Sequence, residues 1–307
     1  MPGLLTTLQR FLAEPPIRLP GSLVTADWLQ QHRTEVNLLD ATFAMPNSGR
    51  DPQAEFAAGH IPNAQFFSIE DIADMTTALP HMLPSPEAFA DAMVALGFDE
   101  SRPTVIYDDG SLLGACRCWW MLRVFGYDTI ALLDGGLPAW ESDFPCTNLH
   151  DPVMPGTFTP KLRPELVWSG ADVLENLTNV QAVLVDARAA PRFKGEQAEP
   201  RPGLQRGHIP GSLNLPYNDL LDPQSKRLKP RSAIQILFAE AGAKTDEPLV
   251  MTCGSGISAC VLAFALYLLG RRDIPVYDGS WAEWGSTAGC PVMLGPPQRP
   301  AVDEPGA

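Results

Sequence analysis

Basic residues are scarce in this chain. Its 307 residues carry 22 Lys and Arg against 36 Asp and Glu, a formal net charge of −14. Nucleic acids and anionic membranes are held by basic patches, so neither surface is expected as a partner. An anionic small molecule would need a local arginine or lysine cluster working against the global field. Long apolar runs are also missing, and nothing approaches the ~18–20 residues of a membrane span. The start, "MPGLLTTLQRFLAEPP", lacks the charged beginning and long apolar core of a secretion signal and reads as a short amphipathic arm. The six cysteines, at 116, 118, 146, 253, 260 and 290, show none of the C-x2-C spacings of zinc or dithiol redox sites. These absences point to a cytoplasmic chain with free thiols, and they imply no metal or organic cofactor.

What is present is a duplication. The length suits about two domains of ~150 residues, and the 45% of apolar residues is enough for two cores. The segment "VIYDDGSLLGACRCWWMLRVFGYDTIALLDGGLPAW" (105–140) aligns without gaps on "LVMTCGSGISACVLAFALYLLGRRDIPVYDGSWAEW" (249–284) at an offset of 144. Upstream, "GHIPNA" (59–64) matches "GHIPGS" (207–212), and "LLDA" (38–41) matches "LVDA" (184–187), at offsets of 148 and 146. Each copy alternates short strands with helical stretches, which predicts an α/β fold of two tandem domains. Each would be a mainly parallel sheet with helices on both faces. The expected boundaries are 22–149 and 167–295, joined by a Pro-rich linker at 150–166, with an arm at 1–21 and a tail at 296–307.

The two copies differ where chemistry is expected. Cys116 and Cys260 are repeat-equivalent, as are Cys146 and Cys290. A cysteine kept in both copies reads as a small apolar filler, and Cys118 reads the same way. Cys253 instead corresponds to Asp109. Asp cannot replace a core filler, so this position is accessible or lines a cleft, and only the second copy has a nucleophile there. Cys253 ends a predicted strand, where catalytic loops of such folds lie. The turn after it, Gly254-Ser255-Gly256-Ile257-Ser258, can curl its N–H groups toward one point at a helix N-terminus. Such a cradle favours a thiolate, and equally a persulfide anion. A cysteine phosphatase would close this loop with an Arg in the pattern C-x5-R, and this chain has no Arg there.

Paired "GHIP", paired "DGG/DGS…W" and the loop "CGSGIS" resemble the tandem-domain rhodanese family of sulfurtransferases over roughly residues 22–295. Within it, the loop is similar to the branch that takes sulfur from 3-mercaptopyruvate, whereas the thiosulfate branch usually carries basic residues there. The resemblance implies two rhodanese-like domains, the first non-catalytic. It implies a ping-pong reaction in which Cys253 takes sulfur from mercaptopyruvate, releases pyruvate, and passes the sulfur to thioredoxin, glutathione, another thiol or cyanide. It further implies that Arg192 and Arg201, in "PRFKGEQAEPRPG", hold the substrate carboxylate, with Gly254, Gly256, Ile257 and Ser258 lining the site. It also implies a relay to Ser255 from an Asp and a His, for which Asp51 and His60 are the first-copy candidates. His60 has a second reading: His208 repeats it in the other copy, as a structural loop clamp would. His81, in "LPHMLPSP", reads as an entrance residue or an idle loop histidine. The alternatives are a thiosulfate:cyanide sulfurtransferase and a non-catalytic persulfide carrier.

Overall fold

The computed structural model describes residues 17–150 and 152–299; most of the expected arm and part of the tail lie outside them. The first half runs β1 (Leu23–Val24), α1 (Ala26–His32), β2 (Asn37–Asp40), α2 (Pro52–Ala58), β3 (Gln65–Phe66), α3 (Pro86–Ala95), β4 (Thr104–Tyr107), α4 (Leu113–Val124), β5 (Ile130–Leu133) and α5 (Gly136–Glu141). The second half repeats it with β6 (Val167–Trp168), α6 (Gly170–Asn176), β7 (Val183–Asp186), α7 (Ala190–Phe193), β8 (Leu213–Asn214), α8 (Arg231–Glu240), β9 (Leu249–Thr252), α9 (Ala259–Leu268), β10 (Val276–Tyr277) and α10 (Ser280–Trp284). Each half forms a five-stranded sheet, in the orders β1-β5-β4-β2-β3 and β6-β10-β9-β7-β8. Every strand pair within them is parallel.

The order explains where a site can form. After β7 the chain moves outward to β8 and then returns to lay β9 on the other side of β7. Connections leave β7 and β9 in opposite directions, which opens a crevice at their carboxyl ends. Both strands are buried along their whole length. Strands covered on two faces read as continuous apolar runs, here "VLV" and "LVM".

The halves share a core. One apolar cluster runs from Phe89 and Ile106 through α4 and α9 to Val185 and Phe238. Helix α9, "ACVLAFALYL", is apolar all round, as a helix must be when it packs on its own sheet and on a neighbour. Trp119 of α4 meets Phe264 and Tyr267 of the other half edge-on, at 5.1 Å each. The outer sheet faces carry separate clusters, around Val105 and Tyr107 in one half and Val250 and Tyr277 in the other. Among the described residues no helix is long and apolar enough to cross a membrane.

Candidate active site

Cys253 stands at the end of β9 and is only 2% exposed. Its own N–H donates to Ser280 Oγ at 3.2 Å, and the Gly256 N–H donates to the same oxygen at 3.1 Å. The Ser280 hydroxyl donates in turn to the Tyr277 carbonyl at 2.8 Å. Ser280 is fully buried and held at φ +49, a left-handed conformation that costs energy for any residue but glycine. At the 144-residue offset its counterpart is Gly136, at φ +60. Serine here accepts backbone strain in order to supply an oxygen for the turn. Two of the N–H groups expected in the cradle thus point at Ser280. Those of Gly254, Ser255, Ile257, Ser258 and Ala259 have no acceptor among the described residues.

The first half shows what such N–H groups can bind. Asp108, fully buried, accepts from the N–H groups of Gly110, Leu112 and Ala115 at 2.9, 3.2 and 3.2 Å. Asp108 corresponds to Thr252, and those donors to Gly254, Gly256 and Ala259. The first half fills its turn with its own carboxyl group, while in the second Ser280 takes the Gly256 N–H and those of Gly254 and Ala259 have no acceptor among the described residues. Asp109, at the position of Cys253, is tied to Arg50 at 2.5 Å.

Cys253 lines a cavity of about 200 Å³ with Gly254, Ser255, Ile257 and Ser258 on one side. The loops after β7 and α7 add Arg188, Arg192 and Arg201, and the first half closes it with Phe43, Met45 and Pro46. The three arginines are not alike. Arg188 is committed to structure: its guanidinium bonds Asp186, Glu199 and the Gly207 carbonyl and lies 4.3 Å over Trp281. Arg192 is paired with Glu199, which spends part of its charge. Arg201 has no hydrogen bond or ion pair among the described residues. Half-burial lowers its pKa, while Glu70 and Cys253 pull the other way. A half-buried cation without a fixed partner can take an anion.

Ser255 is where the structure departs from expectation. Its Oγ lies 3.0 Å from His81 Nδ1, and His81 Nε2 lies 3.1 Å from Glu70 Oε1. The hydrogen bond to His81 holds the Glu70 carboxyl below the usual range. An ionised carboxylate only accepts, so Nε2 carries a proton toward Glu70, and whenever the ring is neutral Nδ1 is the acceptor that faces the Ser255 hydroxyl. His81 is buried, at φ +60, with the edge of Phe43 5.2 Å from its ring.

The structure does not bring Asp51 and His60 to Ser255. Asp51 caps α2 by accepting from the Ala54 N–H at 3.1 Å. His60 binds the Phe56 carbonyl through Nδ1 at 2.8 Å and stacks on Phe56 at 4.0 Å. His208 does the same with Phe193, at 2.9 and 3.8 Å. Both histidines also bridge antiparallel to the end of their own domain, at Thr147 and Met293. They are loop clamps. At an offset of 145, the one that aligns the starts of α3 and α8, the counterpart of His81 is Lys226, also left-handed, at φ +59. The position changes between copies, as Cys253 and Asp109 do. Ser280 changes as well, against Gly136; the contact to Glu70 follows no local pattern.

Comparison with known proteins agrees with this architecture. The model of the rhodanese-like domain matches residues 25–143 and again 169–287. The chain belongs to the rhodanese family and is a sulfurtransferase of the two-domain kind. It is 42% identical over 273 residues to the 3-mercaptopyruvate sulfurtransferase of Escherichia coli K12, covering 88% of this chain and 96% of that protein. It is 37% identical over 274 residues to the thiosulfate sulfurtransferase of Mus musculus, covering 86% and 91%. The crystal structure of SseA from Escherichia coli, a 3-mercaptopyruvate enzyme, superposes with a TM-score of 0.78 at 39% identity, over 85% of this chain and 98% of that one.

Proposed function

We propose that this chain moves sulfur from 3-mercaptopyruvate to a thiol or to cyanide through a persulfide on Cys253. The observation that carries the reading is the single cavity that joins Cys253, the donor-rich turn and Arg201, with Ser255 bound to His81 at its wall. Arg201, assisted by Arg192, takes the planar carboxylate as a bidentate partner. The Cys253 thiolate attacks the substrate sulfur, and the carbon–sulfur bond breaks. Its electron pair passes to the carbonyl as the pyruvate enolate. The proton of the substrate thiol passes by way of Ser255 to the enolate carbon, with the His81–Glu70 pair holding the hydroxyl in line. Pyruvate and Cys253–S–S⁻ result, so atoms and charge balance without an added oxidant. The turn's N–H groups stabilise the persulfide anion. An acceptor thiolate or cyanide then attacks the outer sulfur and regenerates the thiolate. The six unpaired cysteines suit a reducing compartment such as the cytoplasm, where thioredoxin or glutathione would serve as acceptor.

Donor choice tests the reading. Thiosulfate is a dianion, and the turn after Cys253 carries no cation. Absence of a close cation costs on the order of 2–3 kcal/mol in a partly desolvated site. With one acceptor, kcat/KM is expected to favour mercaptopyruvate by at least about 30-fold. Equal use of thiosulfate moves the function to a thiosulfate sulfurtransferase. One sulfur per chain without turnover makes it a carrier. In either productive case, mass spectrometry should find the added sulfur on the Cys253 peptide.

A further inference from the structure

Arg117 has no counterpart in the other copy: at the offset of 144 its position is Val261. It belongs to α4, in the half without the nucleophile, and its exposure is 0%. Its guanidinium spans the join between the halves. Nη2 donates to the carbonyl of His81, and Nη1 donates to the carbonyl of Gly256 at 3.3 Å. Nη1 also lies 2.8 Å from Asp278 Oδ1, off the hydrogen-bond axis. Asp278 accepts the Leu83 N–H through Oδ2 at 2.7 Å. One planar group therefore touches both segments of the relay: the first-half loop that carries His81 and the second-half turn that carries Ser255.

We propose that Arg117, paired with Asp278, is a positioning residue for sulfur transfer that sets the register between His81 and Ser255. The inference rests on the sulfur-transfer reading above. A buried ion pair is a poor source of stability, because desolvation offsets its attraction. The equivalent place in α9 is filled by a valine, so packing alone does not require a charge. What arginine adds is a rigid fork that reaches two carbonyls on different loops at once. The turn is shaped around it: a Cβ on Gly256, at φ +75, would come within 2.8 Å of Arg117 Nη1.

Arg117→Lys keeps a charge beside Asp278 but cannot span both carbonyls. It is expected to lower kcat for mercaptopyruvate-to-cyanide transfer about 10-fold or more, with KM within about threefold. Ser255→Ala should slow the wild type by about 10-fold or more, yet slow Arg117→Lys by less than about threefold, because the relay is already out of register. A merely structural arginine would lower Tm and leave the Ser255→Ala factor equal in both backgrounds, and that additivity overturns the proposal. Arg117→Met with Asp278→Asn removes both buried charges and serves if the lysine variant fails to fold. It is expected to be as slow as Arg117→Lys, and wild-type turnover in it also overturns the proposal. NMR of ¹⁵N-histidine-labelled protein gives a readout without substrate. The His81 ring signals should move in these variants while those of His60 and His208 stay, and an unmoved His81 counts against the role. If the wild type does not use mercaptopyruvate, the sulfur-transfer reading falls, and the His81 signals alone decide the positioning.

Discussion

Arg201 is the side chain whose removal should reveal the substrate's anionic end. It faces the cavity half-buried with no protein partner among the described residues, whereas Arg206 is exposed and outside the cavity. Losing a charge-assisted contact should cost roughly 1.5–3 kcal/mol, or about one to two decades in kcat/KM. Arg201→Ala is therefore expected to raise KM for mercaptopyruvate strongly and Arg206→Ala hardly at all. Equal effects in steady-state kinetics would remove Arg201 from the site. Residues of this kind were legible to different degrees. Cys253 could be read because a repeat makes its own control: Asp at the same place excludes a filler. His60 and His208 could be read as clamps because they do not change. His81 could be read only as an entrance or idle loop residue, because it lies in a Pro-rich loop and its bond to Ser255 spans 174 positions. No local pattern encodes such a contact, and only the change to Lys226 hinted at it.

At the scale of elements, the strand-to-helix turns of the two halves are held in different ways. In the second half, Ser280 Oγ takes the N–H groups of Cys253 and Gly256. Ser280→Gly relieves the left-handed strain but leaves two buried donors unpaired, at about 1–3 kcal/mol each. The net expectation is a lower Tm together with a kcat reduced about 10-fold or more as the turn loosens; unchanged kinetics would show that the turn holds itself. In the other half Asp108 does the holding. Burial, with Asp109 adding to it, pushes the Asp108 carboxyl up to about 7, against the pull of its N–H bonds. Unfolded, the group ionises near ~3.9. Between these values the folded chain keeps a proton that the unfolded chain has lost. The Asp108 contribution is thus fully present below about pH 4 and is lost as pH rises through about 7. Asp108→Asn should flatten the fall of Tm between about pH 4 and about pH 7, and an unaltered slope by calorimetry would contradict this. The strands and the buried α9 were readable from apolar runs and from Gly254 and Gly256. The route of each turn's N–H groups was not, because it depends on side chains arriving from the start of α10 or from the loop after β4.

For the whole molecule, the shared core and the borrowed residues make the halves inseparable. Phe43, Glu70, His81 and Arg117 all come from the first half. Residues 167–295 alone should expose the apolar α9 and lose the relay. Expressed by itself, that segment is expected to bind a hydrophobic dye and to show less than about 1% of the parent kcat/KM; near-parental turnover would make the first half dispensable. The parallel sheets and their duplication were visible in the sequence, but the way one copy completes the other was not, since it needs the α4–α9 contact. That the idle copy plugs its own turn with Asp108 also has a pharmacological side. It is a worked example of an occupied socket: a carboxyl group anchored on the strand end and bonded to the backbone of three turn residues. A small-molecule inhibitor of the catalytic copy can borrow that pose. Its acid group would point at the N–H groups of Gly254 and Ala259, and its body would run toward Arg201.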